Sequence, residues 1–285
     1  MNTPIETTAE HRHHGGTLGY YRHASAACVC DMNFSVFVPP QAAEGAVPAV
    51  YWLSGLTCTE DNFTTKAGAY GVAAELGVIV VAPDTSPRGD DVPDDDAYDL
   101  GKGAGFYLDA TNPPWDTHFH MYSYITKELT TAIDENFPAD PGRRAIMGHS
   151  MGGHGALTIW LKNPDLFRSA SAVAPICAPM QCPWGEKAFS AYLGDDRSAW
   201  ADYDATELMT SRGDGTGRAE ILVDQGLGDN FLEGQLHPHL LEEACAGVDQ
   251  KIAVRRHDGY DHSYFFIATV IGDHLRHHAG ILSGT

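Results

Sequence analysis

Apolar positions change their period several times along the chain, and those changes mark out its elements. Thr17–Arg22 and Ala27–Val38 mix aromatic, β-branched and polar residues as half-buried strands do, and Pro39-Pro40 stops the second. Ala46–Leu53 is an apolar strand run ending in Ser54-Gly55. After a polar loop, Ala67–Leu76 has helical spacing closed by Gly77. Val78–Val81 is then continuously apolar, the pattern of a strand buried on both faces. The stretch from Asp84 to Pro114 has no period and is rich in Gly, Pro and Asp, so it reads as a long functional loop. Its acidic part, Asp90–Asp96, lacks calcium-loop spacing and is expected to be a solvated tip.

From Met121 the alternation becomes regular. Tyr122–Asn136, Gly153–Leu161, Leu236–Ala246 and Ser263–His278 have helical spacing, and between them lie the strand runs Ala145–Met147, Ser169–Ala174, Ile221–Asp224 and Ile252–Arg256. Strands alternating with helices predict an α/β fold: a mostly parallel central sheet with helices on both faces, preceded by antiparallel N-terminal strands. No linker, repeat or composition break divides the chain, so 1–285 is expected to be a single domain, with 1–16 a flexible N-terminal segment.

Composition narrows the function classes. With 43% hydrophobic residues in 285, the chain can bury a large core. Eighteen basic against 38 acidic residues give a net charge of −20, and the basic residues are scattered. Such a field repels nucleic acid and anionic membrane surfaces, so neither is an expected partner. The first twenty residues have no apolar core of a signal peptide, and no apolar run is long enough to span a bilayer. The six cysteines lack framework or zinc-knuckle spacing, which points to free thiols in the cytoplasm. No metal or cofactor is expected. The histidines near the ends, His11, His13 and His14, and His274, His277 and His278, read as solvated.

The strongest chemical signal is Gly148-His149-Ser150-Met151-Gly152, a Gly-x-Ser-x-Gly string between a strand run and a small-residue helix. That spacing suits a serine nucleophile on a turn too sharp for flanking side chains. A serine hydroxyl is a weak nucleophile at neutral pH, so an orienting acid and a base must follow. Asp229, in the loop beyond Ile221–Asp224, is placed to reach over the sheet, with Asp224 as the alternative acid. His262 follows the last strand and the turn Asp258–Asp261, whereas His257 sits nearer that strand with less reach. His149, His154, His237 and His239 read as packing or surface residues. An oxyanion hole needs two backbone donors, for which Met151 after the serine and Leu56 in the loop after Ala46–Leu53 are the candidates. Cys58 shares that loop, with no histidine beside it to make it a nucleophile. Trp184 and the Asp84–Pro114 segment are expected to shape the substrate side.

These strings also match a known family. Ser54-Gly55-Leu56-Thr57-Cys58-Thr59-Glu60, Ala82-Pro83-Asp84-Thr85-Ser86-Pro87-Arg88-Gly89, Gly103–Tyr107, Gly148–Ala156, Cys182-Pro183-Trp184-Gly185 and Gly259–Tyr264 resemble the S-formylglutathione hydrolase (esterase D) family, from about Gly19 to about His278. The resemblance implies an α/β-hydrolase fold and hydrolysis of S-formylglutathione to formate and glutathione in formaldehyde removal. It carries the nucleophile onto Ser150, the acid onto Asp229, the base onto His262 and the oxyanion donors onto Leu56 and Met151. It also implies that Cys58 is a wall of the site whose modification blocks access. The net charge departs from what an anionic substrate suits, and Lys66, Arg88, Lys102 and Lys187 are the cations that could offset it. A small glutathione thioester is the expected partner, and a homodimer is kept as an assembly to test. A short-chain carboxylesterase or an acyltransferase of the same fold is the competing activity.

Overall fold

A computed structural model describes residues 4–284, and one continuous sheet of nine strands runs through it. The strands are β1 (Glu6–His13), β2 (Gly16–Ser25), β3 (Cys30–Val38), β4 (Val47–Leu53), β5 (Ile79–Pro83), β6 (Ala139–His149), β7 (Ala170–Val173), β8 (Ile221–Gly226) and β9 (Ile252–His257). Across the sheet the order is β1-β2-β3-β5-β4-β6-β7-β8-β9. The first three strands pair antiparallel, and β4 to β9 are mutually parallel. The helices are α1 (Glu60–Lys66), α2 (Tyr70–Leu76), α3 (Met121–Ser123), α4 (Thr130–Asn136), α5 (Met151–Lys162), α6 (Pro183–Leu193), α7 (Arg197–Trp200), α8 (Ala205–Ser211), α9 (Pro238–Ala246) and α10 (Tyr264–Ser283). A π-helical stretch, Tyr124–Leu129, joins α3 to α4.

The period of two in the strands divides the core into two layers. In β4, Ala49, Tyr51 and Leu53 face one layer, with Leu157, Ile159 and Trp160 of α5 and Leu241 of α9. Val50 and Trp52 face the other, with Phe63 of α1, Tyr70 of α2, and Phe266, Ile267, Val270 and Ile271 of α10. Both faces are therefore covered, as the continuous apolar runs require.

Two expectations need correction. Residues 6–13, within the segment expected to be flexible, form β1, paired antiparallel with β2. Its sequence, Glu-Thr-Thr-Ala-Glu-His-Arg-His, is solvated on both faces, so it lacks the alternation that marks a half-buried strand; its charges also suit an unpaired sheet edge. His274 and His278, expected to be solvated, are fully buried. They lie four residues apart on the inner face of α10, with Val270, Ile271 and Leu275, against serines on the sheet. His278 Nδ1 lies 2.8 Å from Ser169 Oγ and Nε2 2.7 Å from Ser171 Oγ; His274 Nδ1 also meets Ser171 Oγ at 2.7 Å.

Buried neutral histidines give the fold an acid sensitivity. Burial lowers His154 to about 4 despite its hydrogen bond at 3.0 Å to the Phe106 carbonyl, and it holds His278 well below the ordinary value. A histidine with a depressed folded pKa takes up protons first in the unfolded chain, so stability falls as pH drops below about 6.5. His154 contributes up to about 1.4 kcal/mol of that loss per pH unit until pH 4 is reached. Denaturant unfolding at pH 7 and pH 5 should therefore give a lower stability at pH 5 by about 2 kcal/mol from this residue alone, and His154→Gln should narrow the gap. An unchanged gap in that variant would remove His154 from the account.

Candidate active site

Ser150 stands between the end of β6 and the start of α5, with φ 57° and ψ −119°, a strained backbone for a residue with a side chain. Its neighbours must be small. A side chain at Gly148 or Gly152 would collide with backbone, including the Leu53 carbonyl at the end of β4. The strain holds Ser150 above the carboxyl edge of the parallel strands, where α/β sheets bind ligands. The amide of Met151, first residue of α5, has no acceptor within its helix and lies beside the serine.

Asp229 and His262 come from the loops after β8 and β9, beyond β7. The loop after β8 turns at Gly226–Gly228, where a side chain on Gly226 would meet the Tyr260 carbonyl; the Gly228 amide bonds that same carbonyl at 2.9 Å. This ties the loop after β8 to the loop after β9. His262 Nδ1 lies 2.6 Å from Asp229 Oδ2, and the Asp229 side chain is fully buried. Asp229 Oδ1 also accepts from the Phe231 amide at 2.8 Å. With Nδ1 directed at the carboxylate, Nε2 is the ring nitrogen left for proton exchange.

The alternatives are engaged elsewhere. Asp224 accepts from Arg255 at 2.5 and 2.7 Å, and its oxygens lie 2.7 Å from His257 Nε2 and 3.0 Å from His274 Nε2. Burial pushes its carboxyl up, but hydrogen bonds from His274, Arg255 and His257 outweigh that and hold it well below the usual carboxylate range. Asp224 and His257 therefore belong to a cluster between the sheet and α10, apart from Asp229 and His262.

A cavity of about 260 Å³ opens at this edge, lined by Gly55, Leu56, Thr57, Cys58, Tyr98, His149, Ser150, Trp184, Phe231, His262, Ser263 and Tyr264. Ser150, His262, Leu56, Cys58 and Trp184 all line it; Asp229 stands behind His262, and Met151 is buried beside the serine. The sequence does not single out Phe231 or Tyr264 as wall residues, and it places Tyr98 only within the Asp84–Pro114 segment expected to shape the substrate side, which does supply that part of the lining. Phe231 and Tyr264 each follow a site residue by two positions, and that spacing was their only signal. Tyr98 comes from the long loop, whose acidic stretch hid it; its hydroxyl accepts from Trp184 Nε1 at 3.2 Å. His149, expected to be a packing or surface residue, lies with its ring centroid 4.3 Å from that of His262. Burial and the neighbouring His262 keep it well below the ordinary histidine value, hence neutral.

The loop bearing Leu56 is held from several sides. The Tyr107 hydroxyl donates to Ser54 O at 2.9 Å, Thr57 N to Gly103 O at 2.8 Å, and Thr85 Oγ1 and Arg88 Nη2 to Cys58 O at 2.5 and 3.1 Å. Three of the four cations proposed to offset the acidity are paired: Arg88 with Asp84, Lys102 with Asp94 and Lys187 with Asp99. Burial pushes the Cys58 thiol up, so it is a poor nucleophile at neutral pH.

Comparison with known proteins agrees with this architecture. The Esterase family, described as "Putative esterase", matches residues 25–277. The S-formylglutathione hydrolase of Mus musculus is 51% identical over 281 residues, covering 98% of this chain and 99% of its own. This chain belongs to the S-formylglutathione hydrolases. The solved S-formylglutathione hydrolase of Agrobacterium tumefaciens superposes with a TM-score of 0.94 at 50% identity, over 99% of this chain and 100% of its own. A more distant match is FphF, a fluorophosphonate-binding serine hydrolase of Staphylococcus aureus, with a TM-score of 0.74 at 18% identity over 93% of this chain and 98% of its own; it shares the fold. The family's α/β-hydrolase architecture is thus present along nearly the whole chain. Among the described residues no helix is long and apolar enough to cross a membrane.

Proposed function

We propose that this S-formylglutathione hydrolase cleaves its thioester through a formyl-enzyme on Ser150. Ser150 Oγ attacks the formyl carbon as His262 Nε2 takes the hydroxyl proton, and Asp229 stabilises the imidazolium it faces. The amides of Leu56 and Met151 receive the negative charge that develops on the carbonyl oxygen, each worth about 3 kcal/mol by analogy with other oxyanion holes. The carbon–sulfur bond then breaks. Glutathione leaves as the thiol with the proton from His262, or as a thiolate after which His262 gives that proton to water, so His262 is neutral again and this step asks less of the acid than amide cleavage would. In the second half, His262 accepts a proton from water as its oxygen attacks the formyl ester, Ser150 regains its hydroxyl, and formate departs. The 2.6 Å contact between Asp229 and His262, beside a serine held in a strained turn, is the observation that carries this reading. Six unpaired cysteines support a cytoplasmic setting, and the one continuous sheet supports a single domain.

Rapid mixing with p-nitrophenyl acetate tests the acyl-enzyme. The expected result is a burst of p-nitrophenol no greater than one per active site, with quenched protein carrying the acetyl group on the Ser150 peptide. Acetyl found on Cys58 instead, with Ser150 unmodified, would contradict it.

A further inference from the structure

S-formylglutathione is an anion: its tripeptide bears two carboxylates and one ammonium. The protein's own charge is −20, so a local cation that is not already neutralised favours binding of this anion. Arg88, Lys102 and Lys187 each lie within 4 Å of a carboxylate. Lys66, the last residue of α1, has no carboxylate within salt-bridge distance among the described residues. The acids of its own helix, Glu60 and Asp61, sit in the first turn at the opposite end, and Asp61 already accepts from the Tyr20 hydroxyl at 2.7 Å.

The exposed Lys66 ammonium lies 5.7 Å from the centre of the Tyr264 ring, which forms part of the cavity wall. Its charge also reaches Cys58, which lines the same cavity, opposing in part the upward push of burial on that thiol. Two cavity-lining residues, Cys58 in the loop after β4 and Tyr264 at the start of α10, thus sense this one ammonium, which has no carboxylate partner among the described residues and is available to pair with a ligand.

We propose that Lys66, resting over the Tyr264 ring, is the subsite that takes a carboxylate of the tripeptide leaving group. The proposal rests on the glutathione thioester being the substrate. Tyr264 supports the lysine stem and limits the rotamers lost on binding, while the ammonium supplies the charge. Lys66 is exposed, so the contact has the strength of an exposed ion pair and falls with salt.

Lys66→Met should lower kcat/KM for S-formylglutathione about fivefold, through KM, and leave hydrolysis of the neutral p-nitrophenyl acetate within twofold. Lys66→Arg should keep most of the wild-type value, and added salt should weaken the wild type towards Lys66→Met. Equal losses on both substrates, or none on either, would overturn the subsite. A titration with S-methylglutathione, a thioether that cannot be hydrolysed, separates this from the assignment of activity. Weaker binding to Lys66→Met than to the wild type supports the subsite even if the thioester proves a poor substrate, and equal binding rejects it.

Discussion

Ser150→Ala should lower kcat on S-formylglutathione by about 10⁶-fold, by analogy with removal of the nucleophile from other serine hydrolases. KM should change little, because the wall residues Leu56, Trp184 and Phe231 remain. The fold should survive, since alanine deletes one oxygen from a 2% exposed side chain while the flanking glycines keep the turn. Residual activity within tenfold of wild type, measured on protein cleared of contaminating esterase, would end the assignment. Cys58 offers no rescue: its thiol stays protonated at neutral pH.

The second large effect separates two buried aspartates that the sequence presents five residues apart. Asp229→Asn should lower kcat about 10⁴-fold with little change in stability, because an amide facing Nδ1 favours the wrong tautomer and cannot stabilise the imidazolium. Asp224→Asn should do the reverse. It removes the charge that Arg255, His257 and His274 surround, so unfolding free energy should drop by about 3 kcal/mol, the cost of breaking a buried ion pair, while kcat stays within a few fold. Acid unfolding adds a check. A carboxyl whose folded pKa is depressed stabilises above its unfolded value near 3.9, and that contribution is lost as pH falls below it. The Asp224→Asn variant should therefore lose less stability than the wild type on acidification below pH 4. Exchange of the two phenotypes would reverse the assignment of the acid.

How far this was readable from the sequence depended on what each element buries. Val78–Val81 and Ile221–Asp224 are apolar because both faces of their strands are covered, and the Gly-x-Ser-x-Gly turn allows few other residues at its flanks. Those features announced the parallel sheet and the serine. The helix α1 was hidden because its first turn is Glu60-Asp61-Asn62 and only Phe63 and Thr64 are buried, so it reads as polar loop. The capping box of Thr59 and Asn62 was the available signal. In α6, Pro183 at the first helical position was a start signal masked by the Cys-Pro-Trp-Gly string. In α8, Asp204 caps the Thr206 and Glu207 amides, another local sign without a strong apolar stripe behind it.

The site divides in the same way. Chain order and loop placement were enough to favour Asp229 over Asp224 and His262 over His257, because reach over the sheet edge depends on residues beyond a strand. The cavity wall was readable in part: Cys58, Trp184 and the segment bearing Tyr98 were expected there, whereas Phe231 and Tyr264 join them only after separate crossovers fold together. The pairing of Arg88, Lys102 and Lys187 with Asp84, Asp94 and Asp99, which leaves Lys66 distinct from the other three, was not readable.

The most direct measurement is kcat/KM of the purified protein on S-formylglutathione beside p-nitrophenyl acetate and butyrate. A preference of a hundredfold or more for the glutathione thioester, about 2.7 kcal/mol of transition-state discrimination, is the expected result. A flat profile, or one led by butyrate, would contradict the glutathione assignment and leave a general short-chain esterase.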